Sequence, residues 1–323
     1  MKDIAVVAIG RNEGVRLERC LRSVIQQAAL VVYVDSGSTD GSVAFAKNIG
    51  AQVVALDMSK PFTAARARNE GFQRALAQQP DLAYVQFVDG DCEVVATWLP
   101  QAHAFLEQHP DAAAACGRRR ERHPQATIYN QLCDEEWNTP IGEAKACGGD
   151  VLMRASALTQ SGGYRDDVIA GEEPELCVRL RQKGWRIWRL DCEMTLHDAN
   201  MTQFQQWWMR AVRCGYAYAL GAQLHGHPPE KHWVGERNRA LLWGLLLPTA
   251  VMLLGIGSPW LLLGLAAYPA QIARLARRQP AGQPASWARA WFSTIGKFAE
   301  VQGIGRYWRD RLMARTPRII EYK

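Results

Sequence analysis

Carboxylates follow two of the apolar runs in the first third of the chain. The run ending at Val88 leads directly into Asp89-Gly90-Asp91. Two acidic residues flanking a glycine can turn toward one point. Hard divalent cations such as Mg²⁺ or Mn²⁺ take such carboxylate oxygens and leave room for the oxygens of a diphosphate. Taken alone, the tripeptide is equally a solvated Asp-Gly-Asp turn. The run Val31–Val34 leads into Asp35-Ser36-Gly37-Ser38-Thr39-Asp40-Gly41-Ser42. Asp35 can accept hydrogen bonds from a base or a ribose, and the small residues permit close approach. Asp40 or Ser42 suits the start of the next helix; capping accounts for Asp40 but not for Asp35.

Two further segments could serve phosphate and proton chemistry. In Pro61-Phe62-Thr63-Ala64-Ala65-Arg66-Ala67-Arg68-Asn69-Glu70-Gly71, Thr63 can cap a helix whose early turns carry Arg66 and Arg68. Guanidinium groups near a helix start suit phosphate, although an ordinary surface helix would read the same way. In Gly171-Glu172-Glu173-Pro174-Glu175-Leu176, Pro174 suits the first helical position. Glu172 and Glu173 then lie at the positive end of the helix dipole, where a carboxylate stays ionised and able to accept a proton. Plain capping is the alternative.

These residues need a scaffold, and the first third provides the pattern of one. Ile4–Ile9, Val31–Val34, Gln52–Leu56 and Tyr84–Val88 read as strands, with helices at Arg16–Gln27, Ser42–Ile49 and Ala64–Gln78 between them. That alternation predicts an α/β fold with a parallel sheet between helices, and ligands bound beyond the carboxyl ends of the strands. The middle, from about Asp111 to Asn200, is less regular; it holds Gly148-Gly149, Gly162-Gly163 and a helix over about Pro174–Lys183 stopped by Gly184.

Composition excludes several classes. A 48% apolar fraction with 22% charged residues describes a chain that buries a core. The eight cysteines include no Cys-x-x-Cys pair, so they read as free thiols in a reducing compartment rather than as a disulfide framework or zinc knuckle. The apolar run after Met1 is short and reads as a strand, which places the chemistry inside the cell. Gly10-Arg11-Asn12-Glu13-Gly14 is not the Gly-x-Gly-x-x-Gly turn of a nicotinamide enzyme. Basic residues collect beside apolar runs rather than forming a separate stripe, which argues against nucleic acid as a partner.

Beyond Arg239 the composition changes. Residues 240–273 contain no Asp, Glu, Lys or Arg, and Gly255-Ile256-Gly257-Ser258-Pro259 interrupts them. Two arms of about 17 residues are at the lower limit for crossing a ~30 Å core, so a helical hairpin is expected, spanning or re-entrant. Lys231, Arg237 and Arg239 precede it and Arg274, Arg277 and Arg278 follow, which places both ends in the cytoplasm. The tail, 285–323, mixes aromatic and basic residues and suits either the headgroup region or the side of another helix.

Taken in order, these segments resemble the family 2 glycosyltransferases and their GT-A nucleotide-diphospho-sugar transferase fold. The likeness runs from Ala5–Gly14 through Asp35 and Asp40, the Ala-Arg-Asn-x-Gly run ending at Gly71, Asp89-Gly90-Asp91, Gly148-Gly149-Asp150 and the Glu-Glu pair. It implies an inverting, metal-dependent, hexosyltransferase-like enzyme using a nucleotide-diphospho-sugar, a UDP-sugar by default. Asp35 would contact the nucleobase with Arg11 and Glu13 nearby, and Asp89 the ribose. Asp40, Arg68 and Asn69 complete the expected donor site, with Arg68 facing the departing diphosphate. Asp91 would hold Mg²⁺ or Mn²⁺, with His197 beside it, and Gly148, Gly149 and Asp150 would face the acceptor. Glu173 matches the catalytic base, with Glu172 before it; the family usually has Glu-Asp here, so the base carries one extra methylene.

The expected organisation is therefore a GT-A catalytic domain over 1–232, then a membrane hairpin (about 240–273) and an interfacial tail over 233–323. The expected acceptor is a lipid-linked saccharide in surface polysaccharide or glycolipid synthesis, at the cytoplasmic face of the inner (plasma) membrane. The alternative is a nucleotide-sugar-binding membrane protein without turnover.

Overall fold

The computed structural model describes residues 1–278 and 286–321. Residue 285, where the expected tail begins, and its last two residues, 322–323, lie outside the described residues. The chain forms two compact units: Met1–Pro124 with Cys133–Asn200, and Gln125–Leu132 with Met201–Lys323.

The first unit is built from β1 (Ile4–Gly10), α1 (Val15–Val24), β2 (Leu30–Asp35), α2 (Ser42–Asn48), β3 (Gln52–Ala55), α3 (Ala64–Gln78), β4 (Tyr84–Asp89), β5 (Cys92–Val94), α4 (Trp98–Gln108) and β6 (Ala112–Glu121). It continues with α5 (Ile128–Glu136), whose first residues belong to the second unit, then β7 (Gly142–Glu143), β8 (Val151–Arg154), α6 (Ala155–Gln160), α7 (Glu172–Gln182) and β9 (Arg186–His197). The strands form one sheet in the order β3-β2-β1-β4-β8-β6-β9-β5, with β7 paired to β9. The β3-β2-β1-β4 half is parallel throughout, as the alternation of strands and helices requires. Beyond β4 the sheet is mixed: β8 runs antiparallel to both β4 and β6, and β5 and β7 antiparallel to β9, while β6 and β9 are parallel.

Alternate residues of each strand feed two cores. Ala5, Val7, Val32, Val34, Val85 and Phe87 point to the face covered by α3, α6 and α7; Ile4, Val6, Ala8, Val31, Tyr33 and Tyr84 point to the face covered by α1, α2 and α4. Gly71 lets α3 sit directly on the sheet, since a Cβ there would lie 2.3 Å from Val7 Cγ1 and 2.9 Å from Val34 Cγ2. The helix expected to start at Pro174 starts instead at Glu172, after Gly171 in the left-handed region (φ 79°). Pro174 is tolerated in that first turn because its missing N–H would have had no intrahelical partner.

The second unit is helical: α8 (Phe204–His225), α9 (Val234–Leu241), a π-helical turn over Leu242–Leu246, α10 (Leu247–Gly257), a 3₁₀ segment over Pro259–Ala266, α11 (Ala267–Arg277) and α12 (Ser286–Leu312). Helices α8 and α12 approach at glycines, where a Cβ on Gly215 would lie 2.0 Å from the Glu300 carbonyl and one on Gly303 2.0 Å from that of Val212. Trp207 packs on Phe292 with ring centroids 4.7 Å apart, and Trp208 Nε1 donates to Gln302 Oε1 at 2.9 Å, so these tryptophans serve packing within the unit. From Val234 to Gly257 the helix is continuous, the π turn accommodating Pro248, which can neither donate nor fit the preceding carbonyl in a regular helix.

By length and composition this helix could cross a membrane: it runs for 24 residues, and its most apolar 18-residue stretch has mean hydropathy 2.0. The expected break falls at Ser258-Pro259. Among the described residues it is the one helix that meets this standard, since the second arm is divided between a 3₁₀ segment and α11.

Candidate active site

The sheet order sets the carboxyl ends of β2, β1 and β4 side by side, and the loops leaving them carry the acidic residues. The first two loops are stitched together. Asn12, at φ 55°, accepts from Thr39 N at 2.7 Å through Oδ1, while its own N–H donates to Ser38 Oγ at 2.9 Å. Asp40 accepts from Gly14 N at 3.1 Å and Ser42 N at 3.0 Å. Burial pushes its carboxyl up, but the bonds from Ser42 and Gly14 outweigh that and hold it below its usual range. Asp35 is buried and accepts from Tyr33 Oη at 3.0 Å, Gly37 N at 3.1 Å and Ser38 N at 3.0 Å. Burial and the neighbouring Asp35 push the Tyr33 hydroxyl up, which keeps it a donor. Glu13 pairs with Arg16 at 2.8 Å, and its stem fills the space left by Gly10 and Gly90. Arg11 is exposed at the end of β1.

Arg68 organises the centre. It is 2% exposed, and its two terminal nitrogens divide between two carboxylates: Nη2 to Asp89 Oδ1 at 2.7 Å and Nη1 to Glu172 Oε1 at 2.8 Å. The guanidinium also lies over the Tyr164 ring, 5.6 Å from its centroid. Thr63 sets the start of α3, accepting from Arg66 N and donating to the Asp166 carbonyl, while Arg66 is spent on the carbonyls of Asp57, Lys60 and Pro61. Arg119, from β6, reaches Asp89 Oδ2 at 3.4 Å and Asp150 Oδ2 at 3.5 Å, and stacks over Trp137 at 4.9 Å. Asp150 in turn accepts from Asp89 N at 3.0 Å and Thr195 Oγ1 at 2.8 Å. Burial pushes the Asp89 carboxyl up, but Arg68 and Arg119 more than offset it and hold it below its usual range. Gly149 must be glycine for this arrangement, because a Cβ would lie 2.6 Å from Arg68 Nη2 and 3.0 Å from Asp89 Oδ2.

Beside this centre Asp91 meets the end of β9. Its Oδ2 lies 3.3 Å from His197 Nε2, and His197 Nδ1 lies 3.3 Å from Glu121 Oε2, with the Trp137 ring edge-on to the imidazole at 4.8 Å. Cys92 Sγ faces Asp91 Oδ1 at 3.5 Å, and one ligand atom from each of Asp91, Cys92 and His197 falls within 4.8 Å of the others. A buried carboxylate and an imidazole oriented by a second carboxylate form a donor set that fits a divalent cation.

Glu172 and Glu173 face different partners. Glu172 is held by Arg68. Glu173 Oε1 accepts from Cys147 N at 2.7 Å and from the thiols of Cys147 at 3.1 Å and Cys177 at 2.7 Å, while its Oε2 is buried without a hydrogen-bond partner.

The structure thus brings Asp35, Asp40, Glu13, Asp89, Asp91, Arg68, Asp150, Glu172, Glu173 and His197 into the first unit's loop edge and adjoining interior. Asn69 is committed to the fold: Nδ2 donates to Tyr164 O and Asp166 Oδ1, and Oδ1 accepts from Tyr164 N. Asp150 is 1% exposed and braces Asp89 from below. Arg119, Glu121, Trp137 and Thr195 were not anticipated. No local signal separates Arg119 from its neighbours, because burial along Arg118-Arg119-Arg120-Glu121 does not alternate and the register of β6 against β9 shifts between Cys116 and Arg118 and again between Arg118 and Arg119.

Comparison with known proteins bears on the fold that carries these loops. Residues 5–151 match the model of Glycosyl transferase family 2. A TPR repeat-containing protein of Synechococcus elongatus is 29% identical over 132 residues, 41% of this chain and 31% of that protein, so the match spans about a third of that relative's length. Among solved structures, the mannosyltransferase PcManGT from Pyrobaculum calidifontis, in complex with GDP-Man and Mn²⁺, is similar at TM-score 0.63 and 19% identity, over 96% of this chain and 88% of that one. Residues 1–349 of S. aureus TarS are similar at TM-score 0.54 and 14% identity, over 95% and 91%. GalNAc-T7 with UDP, GalNAc and Mn²⁺ is similar at TM-score 0.51 and 16% identity, over 74% and 55%. The family match runs from β1 to the first residue of β8, so over residues 5–151 the chain is similar to the family 2 glycosyltransferases, and the sheet that carries the acidic loops at one edge has the GT-A fold.

Proposed function

We propose that the first unit moves a sugar from a nucleotide-diphospho-sugar to an acceptor hydroxyl with inversion at the anomeric carbon. The observation that carries this reading is the division of Arg68 between Asp89 and Glu172, directly beside the Asp91–His197 pair. Asp35, Arg11 and Glu13 face the nucleoside, and Asp89, oriented by Arg68, Arg119 and Asp150, addresses the ribose. A divalent cation, Mg²⁺ or Mn²⁺, held by Asp91 and His197 would supply positive charge against the diphosphate. Arg68 adds its own charge there while fixing both carboxylates.

Glu173 is the proposed base. Its Oε2 has no hydrogen-bond partner and can take the proton of the acceptor hydroxyl as that oxygen attacks the anomeric carbon and the nucleoside diphosphate leaves from the opposite side. Glu172, committed to Arg68, positions the site. Gly148 and Gly149 border the acceptor side, with Asp150 acting beneath them through Asp89.

The proposed acceptor is a lipid-linked saccharide at the cytoplasmic face of the plasma membrane, in surface polysaccharide or glycolipid synthesis. Support comes from the apolar helix Val234–Gly257 and the basic residues flanking 240–273. UDP-sugars are the default donors, and the GDP-Man bound in PcManGT puts GDP-mannose beside them. The test is nucleoside diphosphate released from a panel of UDP- and GDP-sugars with Mn²⁺ and a membrane lipid extract. One donor should turn over only when lipid is present, and Asp91→Asn should abolish release; turnover on soluble acceptors alone at full rate would sink the lipid assignment. The contacts of Glu173 with two thiols favour a second reading, nucleotide-sugar binding without transfer, which predicts donor binding with no release under any acceptor.

A further inference from the structure

The second unit carries a basic cavity that the donor chemistry does not use. Helix α12 ends at Leu312, and Ala314, at φ 47°, turns the chain back so that Arg315 N bonds to the Asp310 carbonyl at 2.8 Å. The returning segment runs to the buried Ile320. Between it, α12 and Tyr216 of α8 lies a cavity of about 550 Å³, lined by Arg306, Arg309, Arg315 and Arg318 with a single carboxylate, Asp310. Asp310 is taken by Arg309, whose Nε and Nη2 reach Oδ1 at 3.2 and 2.9 Å. Arg306, Arg315 and Arg318 have no carboxylate partner among the described residues. Three arginines lining one concavity without a carboxylate partner match the charge and donor chemistry of a phosphate monoester or diphosphate.

We propose that this cavity binds a phosphate group, carried by a lipid headgroup. The lipid source follows from what surrounds it. Trp308, Leu312 and Met313, at the same end of α12, are 43%, 83% and 56% exposed, and the unit also contains the apolar helix Val234–Gly257. Exposed tryptophan and aliphatic residues beside arginines are the pattern of a headgroup-level surface. The proposal is independent of which sugar or base the first unit uses.

The test takes the full chain in neutral detergent micelles and measures dissociation constants for short-chain phosphatidic acid, short-chain phosphatidylserine and inorganic diphosphate. Phosphatidic acid should bind more tightly than phosphatidylserine, whose phosphate is esterified twice. Arg315→Gln/Arg318→Gln should weaken it about tenfold or more, two cations being lost from the surface. Both arginines are exposed, so the variant should keep the wild-type melting temperature; Arg306→Gln serves as a second probe of the same wall. Arg277→Gln/Arg278→Gln, which removes equal charge outside the cavity, should leave binding unchanged. Tight phosphatidic acid with weak diphosphate assigns a lipid headgroup; equal affinity for both keeps the phosphate site and makes a free anion its ligand. No binding to the wild type, unchanged affinity in both cavity variants, or an equal fall in the Arg277/Arg278 variant would overturn the proposal.

Discussion

Replacing Arg68 with lysine isolates the contact on which the proposed site depends. The guanidinium serves Asp89 and Glu172 through separate nitrogens at 2.7 and 2.8 Å, and an ammonium on a flexible stem can satisfy only one of them in the same geometry. The Asp89 side chain is 29% exposed and that of Glu172 11%, so the ammonium should stay with Glu172 and release Asp89, which water can reach. A lost hydrogen bond to a charged group costs about 1.5–3 kcal/mol, and access to water puts this one at the lower end, near 1.5. In a unit of roughly 200 residues that lowers the melting temperature by about 3–6 °C. The effect on transfer should be larger than this modest melt implies, because Asp89 loses its orientation; a fall of about tenfold corresponds to about 1.4 kcal/mol in the transition state. Differential scanning fluorimetry and nucleoside diphosphate release, measured on the same preparation, read both. A variant that melts like the wild type and transfers at the full rate would refute the reasoning, since the divided guanidinium would then contribute nothing.

Three further outcomes follow from the same geometry. Glu173→Gln should cut transfer by about 10²–10⁴-fold while leaving nucleotide binding intact, whereas Glu172→Gln should cost stability through Arg68; full turnover by the first variant would remove Glu173 from the base role. Gly71→Ala should destabilise the first unit by about 1–3 kcal/mol in urea titrations, because the added carbon falls on two β-branched valines that cannot turn aside, and an unchanged midpoint would contradict the close approach of α3 to the sheet. Acid should weaken the fold: Asp89 is held low against burial by Arg68 and Arg119, and Glu121 is held low against burial by bonds from His197, Ala199 N and His123 N. Both folded pKa values lie below the unfolded ones of about 3.9 and 4.3, so their stabilisation is complete above those values and is lost as pH falls through the folded values. The urea midpoint should therefore stay level from neutrality to about pH 5 and fall below about pH 4, and a rise on acidification would reverse the sign.

The strands β1 to β4 were legible because each is a β-branched run closed by a turn signal, and their ends carried Asp35, Asp89 and Asp91 into view. The other half of the sheet was not. Strand β6 begins Ala112-Ala113-Ala114-Ala115, residues of low strand propensity, and enters the sheet through pairing with β8 and β9 rather than through local preference. Side chains brought in from a distance were hidden for the same reason: Arg119 meets Asp89 across 30 residues, and Glu121 meets His197 across 76. His197 was visible only through the family pattern; the contact that orients it depends on the parallel register that sets Glu121 opposite His197. Asn69 shows the reverse case, a motif residue whose polar atoms hold the loop at Tyr164–Asp166. Helix α7 was legible as a helix, but the different partners of Glu172 and Glu173 emerge only once Arg68 and Cys147 are in place.

The central claim is that the edge formed by Asp35, Asp89 and Asp91 is a nucleotide-sugar site requiring a divalent cation. The most direct test is a thermal-shift panel of nucleoside diphosphates on the detergent-solubilised protein, with and without Mn²⁺, repeated on Asp91→Asn. The account predicts stabilisation by one nucleotide that needs Mn²⁺ and disappears in the variant; a folded protein that responds to no nucleotide, or an Asp91→Asn variant that responds as the wild type does, would contradict it.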